Sequence, residues 1–83
     1  MPRLARMKRD PVDSEALTSV GYDPDRRMLE VEFESGAVYR YYDIPPEIHA
    51  ELMSAPSRGE YFAHHIRNEG FDYIRMDSDQ DAD

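Results

Sequence analysis

Residues 28–34 read Met-Leu-Glu-Val-Glu-Phe-Glu, so apolar and acidic side chains alternate along this segment. A period of two is typical of a strand with one buried face and one polar face. Ser35-Gly36 follows as a tight turn, and Ala37–Tyr42 is a second run rich in β-forming residues. The stretch 28–42 therefore predicts an antiparallel hairpin, and the other predicted elements are placed around it.

The length of the hairpin turn determines which way its tyrosines face. A two-residue loop would direct Tyr39 and Tyr41 to the polar face, whereas a three-residue loop directs both to the apolar face. We expect the three-residue loop, because a glycine in its third position, here Gly36, suits the left-handed conformation of a bulged type I turn. Arg40 then shares the outer face with Glu30.

Two further strands are predicted on either side of the hairpin. Ala16–Tyr22 forms a first strand, and Asp23-Pro24-Asp25 is the turn that leads from it into the hairpin. Phe71–Arg75 is either a last short strand or an extended segment that docks on the core. The strands together predict a three- or four-stranded antiparallel β-meander.

A helix is predicted directly after the meander. Pro45 and Pro46 suit the first turn of this helix, where a missing amide hydrogen costs little, and Asp43 or Ile44 is the expected cap. The helix should end near Ala55, because the proline that follows disfavours helical geometry in the residue before it.

A second helix is predicted to start at Ser57-Arg58-Gly59-Glu60, which has the Ser-x-x-Glu form of a capping box. Gly70 suits the position just past its end. The expected apolar face of this helix consists of Tyr61, Phe62, His65 and Ile66. The predicted fold class is α+β, an antiparallel three- to four-stranded β-meander followed by two α-helices packed on one face.

Aromatic residues and charges divide the 83 residues into a body and two tails. All aromatic residues lie between Tyr22 and Tyr73, so the folded domain is predicted at 12–76. Residues 1–11 are expected to be a basic disordered tail and 77–83 an acidic disordered tail. Most of the net charge of −8 lies in the body.

This composition excludes or disfavours several classes of protein. The acidic body argues against binding nucleic acid by bulk electrostatics, which depends on Lys and Arg. The chain has no cysteine, which excludes disulfides, thiolate chemistry and Cys-ligated zinc. Apolar runs are too short for a transmembrane helix or a signal peptide, so we expect a cytoplasmic protein without membrane contact.

Candidate catalytic chemistries lack their required patterns. A metal site would need the histidines to converge, yet the adjacent pair His64 and His65 point about 100° apart on a helix. No Gly-x-Ser-x-Gly segment frames a serine nucleophile. Glu30, Glu32 and Glu34 alternate on what we expect to be the solvated face of the sheet. We therefore expect a noncatalytic domain without metal or cofactor.

The order of these motifs resembles the KTSC domain, a short module named for its occurrence at the C-terminus of some lysyl-tRNA synthetases. Glu15 and Arg58 depart from the family pattern, which often has serine and lysine there. The resemblance implies the same α+β fold and the RNA-binding role proposed for the family from its context. The matching residues, within 12–67, are Val12, Ser14, Leu17, Val20, Gly21, Tyr22, Asp23, Leu29, Val31, Phe33, Tyr39, Arg40, Tyr41, Ile44, Pro45, Ala55, Ser57, Gly59, Tyr61, Phe62 and Ile66.

Candidate binding residues are predicted where the second helix meets the sheet. Exposed amides and an arginine at the start of this helix favour a phosphate or a carboxylate. Further basic groups on its exposed side and tyrosines on the sheet would hold a stacked base and its phosphate. The candidate site residues are Tyr39, Arg40, Tyr41, Ser57, Arg58, Gly59, His64 and Arg67.

Two noncatalytic functions follow from these observations, and the first is our prediction because the family resemblance implies it. The first is an accessory, tRNA-related RNA-binding module, which requires a positive strip near Arg58 and Arg67 separated from the acidic body. The second is a protein–protein interaction module that uses exposed tyrosines and a sheet edge. A simpler alternative is that the two arginines only form surface ion pairs with Glu60, Glu69 or Glu30. We expect a monomer in either case.

Overall fold

A computed structural model describes residues 8–76, which form an antiparallel sheet and two α-helices. The strands lie in the sheet in sequence order, and a 3-10 turn at Arg67–Glu69 follows the second helix. The elements are β1 Asp10–Pro11, β2 Leu17–Asp23, β3 Met28–Phe33, β4 Val38–Tyr41, α1 Pro46–Ser54, α2 Arg58–His65 and β5 Tyr73–Arg75. The predicted α+β meander with two helices is therefore confirmed.

The sheet has five strands, which is more than the predicted three or four. The extra strand is β1, whose two residues carry no apolar alternation and so gave no strand signal. It begins ahead of the domain boundary predicted at residue 12. Strand β5 confirms the strand alternative for the segment 71–75. The remainder of the two predicted tails, residues 1–7 and 77–83, lies outside the described residues.

The hairpin between β3 and β4 has the predicted three-residue loop. The amide of Phe33 donates a hydrogen bond to the carbonyl of Ala37, and Gly36 has a φ of 96°. A positive φ of this kind costs glycine little. In the resulting register Tyr39 is opposite Val31 and Tyr41 is opposite Leu29, so both tyrosines face the helices.

The N-terminal cap of α2 is the residue predicted from the sequence, whereas the cap of α1 is not. Ser57 caps α2 as predicted, because its side chain accepts a hydrogen bond from the amide of Glu60. The predicted caps of α1, Asp43 and Ile44, are wrong: Pro45 occupies the cap position and makes no side-chain cap hydrogen bond. Proline's fixed φ and the extended conformation at this residue start the helix without a cap side chain.

The core lies between one face of the sheet and the two helices. The ring of Phe62 on α2 contacts the rings of Phe33 and Tyr41 edge-on, with centroid distances of 5.3 and 5.4 Å. Such edge-to-face contacts add to the free energy gained from apolar burial. The fully buried members of this core are Leu17, Val20, Leu29, Val31, Tyr41, Ile44, Leu52, Phe62 and Ile66.

The opposite face of the sheet holds a buried ionic cluster. Glu30 and Arg40 are directly opposed on β3 and β4 and are only 4% and 3% exposed. Arg40 donates to the Glu30 carboxylate at 3.0 Å, and Arg9 contacts the same carboxylate while also donating to Ser19. The expectation of a solvated face is therefore wrong for Glu30, because the arginine that precedes β1 covers it.

Gly21 lets the chain before β1 cross the sheet. A Cβ atom at this position would lie 2.4 Å from the carbonyl oxygen of Lys8 and 3.0 Å from Cγ of Arg9. Any larger residue would push the segment away from β2. The glycine thus positions Arg9 over the carboxylate of Glu30.

Replacing Glu30 by Gln should lower the free energy of unfolding by about 3 kcal/mol or more, since removing one partner of a buried ion pair leaves a charge without compensation. The substitution Glu34→Gln on the exposed residue after the same strand is the control, with an expected change within about 0.5 kcal/mol. Urea unfolding followed by circular dichroism measures both. Equal losses in the two variants would contradict the role of Glu30.

Candidate functional site

Two of the predicted site residues are buried on opposite faces of β4. Tyr41 belongs to the core and Arg40 to the ionic cluster, and each is 3% exposed. Burial raises the pKa of Tyr41 to about 12. Neither side chain has a face that a base or a phosphate can reach, so the surface described below does not include them.

The predicted anion site at the start of α2 is built around a structural arginine. The Arg58 guanidinium donates to the carbonyl oxygen of Met53 at 2.7 Å and to that of Asp13 at 3.3 Å. These bonds join the end of α1, the segment after β1 and the start of α2. At Gly59, a Cβ atom would lie 2.9 Å from Cβ of Ala16, so the helix packs closely on that segment.

A groove of about 680 Å³ lies beside this helix start. Asp13, Glu15 and Glu60 line it together with His64, whereas Arg58 is directed to backbone carbonyls. An anion entering the groove would meet three carboxylates. The groove is therefore acidic, whereas the RNA-binding hypothesis requires a positive strip near Arg58 and Arg67.

The three histidines lie in different environments. His49 stacks on Tyr22 at 4.6 Å, and burial lowers the pKa of this histidine. His65, predicted on the apolar face of α2, is exposed and stacks on Tyr61 at 4.4 Å. His64 lines the acidic groove. Within residues 8–76 no group of His, Asp and Glu is arranged to hold a metal ion.

The largest exposed hydrophobic side chains in the described part of the chain lie on β5. Tyr73 is 55% exposed and Ile74 is 40% exposed. The ring of Tyr73 stacks on Tyr41 with a centroid distance of 5.1 Å and lies 5.7 Å from the ring of Tyr39. Arg75 lies over the Tyr39 ring at 5.9 Å, which is within range of a cation–π contact.

The charge of Arg67 acts on Tyr41, the buried tyrosine of this aromatic group. Arg67 belongs to the 3-10 turn after α2, rather than to the helix as predicted, and it is exposed. Its charge acts on the Tyr41 hydroxyl against the effect of burial, which raises the pKa of that group. Within residues 8–76 Arg67 forms no ion pair, so it does not make the alternative pairs with Glu60, Glu69 or Glu30 there. We call Tyr39, Arg67, Tyr73 and Ile74 the edge surface.

The exposed residues of β5, Tyr73 and Ile74, are not among the predicted site residues. The sequence of 71–75 predicts a last short strand or an extended segment that docks on the core, and neither alternative identifies an exposed face. The available signal was its position as the last strand of a meander, since such a strand forms an edge. Of the predicted site residues, the structure brings only Tyr39 and Arg67 to the edge surface.

If Arg58 is structural, Arg58→Gln should lower the free energy of unfolding by about 1.5–3 kcal/mol, the usual contribution of a hydrogen bond from a charged group. The same change at exposed Arg67 is the matched control and should stay within about 0.5 kcal/mol. Both values come from chemical unfolding. An Arg58→Gln variant as stable as the control would contradict this role and restore Arg58 as a candidate ligand group.

Within the described residues, no helix has the length and apolar character needed to cross a bilayer.

Comparisons with known proteins agree with the resemblance in the motif order. An uncharacterized protein from Stutzerimonas stutzeri is 45% identical over 71 residues, which cover 86% of this chain and 100% of that protein. The lysine–tRNA ligase of a Nostoc species is 40% identical over 55 residues, which are 66% of this chain but 10% of the ligase.

A solved structure shows the same fold. The crystal structure of a KTSC domain protein from Yersinia pestis superposes with a TM-score of 0.78 at 42% identity, and the match covers 86% of this chain and 99% of that one. The family model of the KTSC domain matches residues 13–71. This chain is a member of the KTSC domain family.

Proposed function

We propose that this chain is a noncatalytic protein-interaction module that docks its partner on the edge surface. The observation that carries the proposal is the combination, on one outer strand, of a sheet edge with exposed Tyr73 and Ile74. Exposed apolar side chains beside an edge strand are typical of surfaces that bind other proteins.

The use of the basic residues supports a protein partner over a polyanion. Arg9 and Arg40 neutralise Glu30, Arg26 pairs with Asp23, and Arg58 binds carbonyl groups. These cations already have partners within the domain, while the chain as a whole carries a net charge of −8. A surface of this sign repels nucleic acid and attracts basic regions of other proteins.

The positive strip that RNA binding would require is not continuous. Arg58 and Arg67 lie at opposite ends of α2, and a helix of this length spans about 12 Å. The arginine at the first end sits in the acidic groove. This arrangement favours the protein-interaction hypothesis of the two that the sequence left open.

RNA binding remains a second candidate because of one local feature. Tyr73 offers an exposed ring that stacks on Tyr41, and the charge of Arg67 acts on Tyr41. A ring next to a cation can stack a base and contact its phosphate. The lysine–tRNA ligase relatives also carry a matching segment, and their name says that they act on tRNA. An accessory, tRNA-related role would depend on Tyr73 and Arg67 alone.

A photo-crosslinking residue, p-benzoylphenylalanine, placed at Tyr73 should form a covalent adduct with a partner protein in cells. The same residue at exposed Asp25, in the turn between β2 and β3, is the control and should give no such adduct. Gel analysis before and after nuclease treatment identifies the partner class.

An adduct at position 73 that survives nuclease supports the protein-interaction module. An adduct that nuclease removes supports RNA instead. Equal adducts at positions 73 and 25, or none at either, would contradict docking on the edge surface.

A further inference from the structure

The two outer strands of the sheet differ in what they offer to an added strand. In β1 the residue directed away from the sheet is Pro11, because Val12 donates to the carbonyl of Thr18 and successive residues alternate in direction. Proline has no amide hydrogen to donate to a further strand. Strand β5 contains no proline, and its hydrogen bonds with β4 continue from Asp72 to Met76. Within residues 8–76, β5 is therefore the outer strand suited to strand addition.

The hydrogen-bond pattern fixes which backbone groups of β5 point outward. The carbonyl of Asp72 accepts a hydrogen bond from the amide of Tyr42, at the end of β4. Residues of an antiparallel pair alternate between bonding to the neighbouring strand and pointing away from it. Ile74 therefore also bonds to β4, whereas the N–H and C=O groups of Tyr73 and Arg75 point away from the sheet.

An acidic and an aliphatic side chain form one row on the outer side of this edge. Ile74 lies across from Arg40 of the ionic cluster, on the side of the sheet opposite the helices, and is 40% exposed. The alternation of side chains along a strand places Asp72 on the same side. Asp72 is exposed, and within residues 8–76 it forms no ion pair. A strand added to β5 would therefore meet a carboxylate and, two residues along, an aliphatic group.

The basic groups near β5 act on the other side of the sheet. Arg75 shares the helix side with Tyr73 and lies over the ring of Tyr39 at 5.9 Å. The charge of Arg67 acts on Tyr41, which belongs to the core beneath the helices. Asp72 therefore determines the charge that the outer row prefers in a partner, and a cation complements it.

The charge of the whole chain acts in the same direction. The chain carries a net charge of −8, and the seven residues that follow Met76 include four aspartates. A chain of this sign attracts basic segments of other proteins and repels acidic ones, including a second copy of itself.

We infer that β5 binds an extended basic segment of a partner protein by antiparallel strand addition, with a Lys or Arg opposite Asp72 and an aliphatic residue opposite Ile74. This inference rests on the proposed function and gives the mode of binding and the chemistry of the partner. Because the paired strands run in opposite directions, the partner has the order aliphatic, any residue, basic. Its middle residue exchanges backbone hydrogen bonds with Tyr73. The contact area is small, so the affinity of an isolated peptide is low.

The test is a nuclear magnetic resonance titration of the isotope-labelled chain with the peptide acetyl-Thr-Val-Thr-Lys-Thr-amide. The amide shifts should be saturable and confined to β5 and its neighbours.

Three altered peptides serve as controls. Glutamate in place of the lysine should bind about fivefold more weakly. Exchanging the valine and the lysine keeps the composition but places each opposite the wrong side chain, and this peptide should also bind about fivefold more weakly. N-methylation of the central threonine, which removes its amide hydrogen, should weaken binding about tenfold.

Charge-reversed proteins separate the effect of Asp72 from that of the overall charge. Asp72→Lys should reverse the preference, so that the glutamate peptide binds more tightly than the lysine peptide. Asp25→Lys, the same change in the turn between β2 and β3, should keep the preference for lysine. The amide spectrum of each variant reports whether it is folded, and the peptide comparisons on the unmodified chain do not depend on either variant.

Several outcomes would overturn the inference. Absence of saturable shifts with the lysine peptide, or equal binding of all four peptides, would exclude this mode of recognition. An equal loss of preference in both protein variants would show that Asp72 does not select the charge. Shifts on β5 that grow with protein concentration alone would identify a second copy as the occupant, and equivalent shifts with oligouridine would identify RNA. A protein adduct at position 73 combined with equal binding of the four peptides would refute this inference and leave the proposed function intact.

Discussion

The fold depends on one buried carboxylate, that of Glu30. It lies on β3, receives hydrogen bonds from Arg40 on β4, and contacts Arg9 from the segment before β1. Isolated ions in such a place would be costly, and only the mutual contact makes their burial tolerable. Gly21 contributes by leaving the space through which the Arg9 segment crosses. The apolar core packs on the other face of the same strands. The ionic cluster and the core therefore both require the same register of strand pairing.

This arrangement also shapes the function of the surface. The domain uses Arg9 and Arg40 to neutralise Glu30 and uses Arg58 to join three segments of backbone. The chain has 10 basic residues against 18 acidic ones, so committing arginines internally leaves an acidic exterior. Within this acidic exterior, β5 exposes the aromatic side chain of Tyr73 and the aliphatic side chain of Ile74. An acidic surface with one apolar edge is better suited to a protein than to a polyanion.

The sequence predicted the parts of the fold that local patterns determine. Alternation in 28–34 and the glycine of the hairpin turn identified the register, and Ser57 identified the start of α2. Interactions between distant segments were not predictable in this way. The burial of Glu30 depends on Arg9, which is 21 positions away, and the role of Arg58 depends on carbonyl groups rather than on side chains. The candidate site accordingly included Arg40 and Tyr41, whose side chains are buried.

The central proposal for this domain is that the edge surface recognises protein and not RNA. The decisive measurement is a titration of the isotope-labelled chain with short single-stranded RNA and with tRNA, at low and at physiological salt. We predict no saturable shifts of the Arg67 and Tyr73 amides at physiological salt. Shifts that cluster on these residues and weaken as salt rises would contradict this proposal, because that pattern is characteristic of phosphate binding.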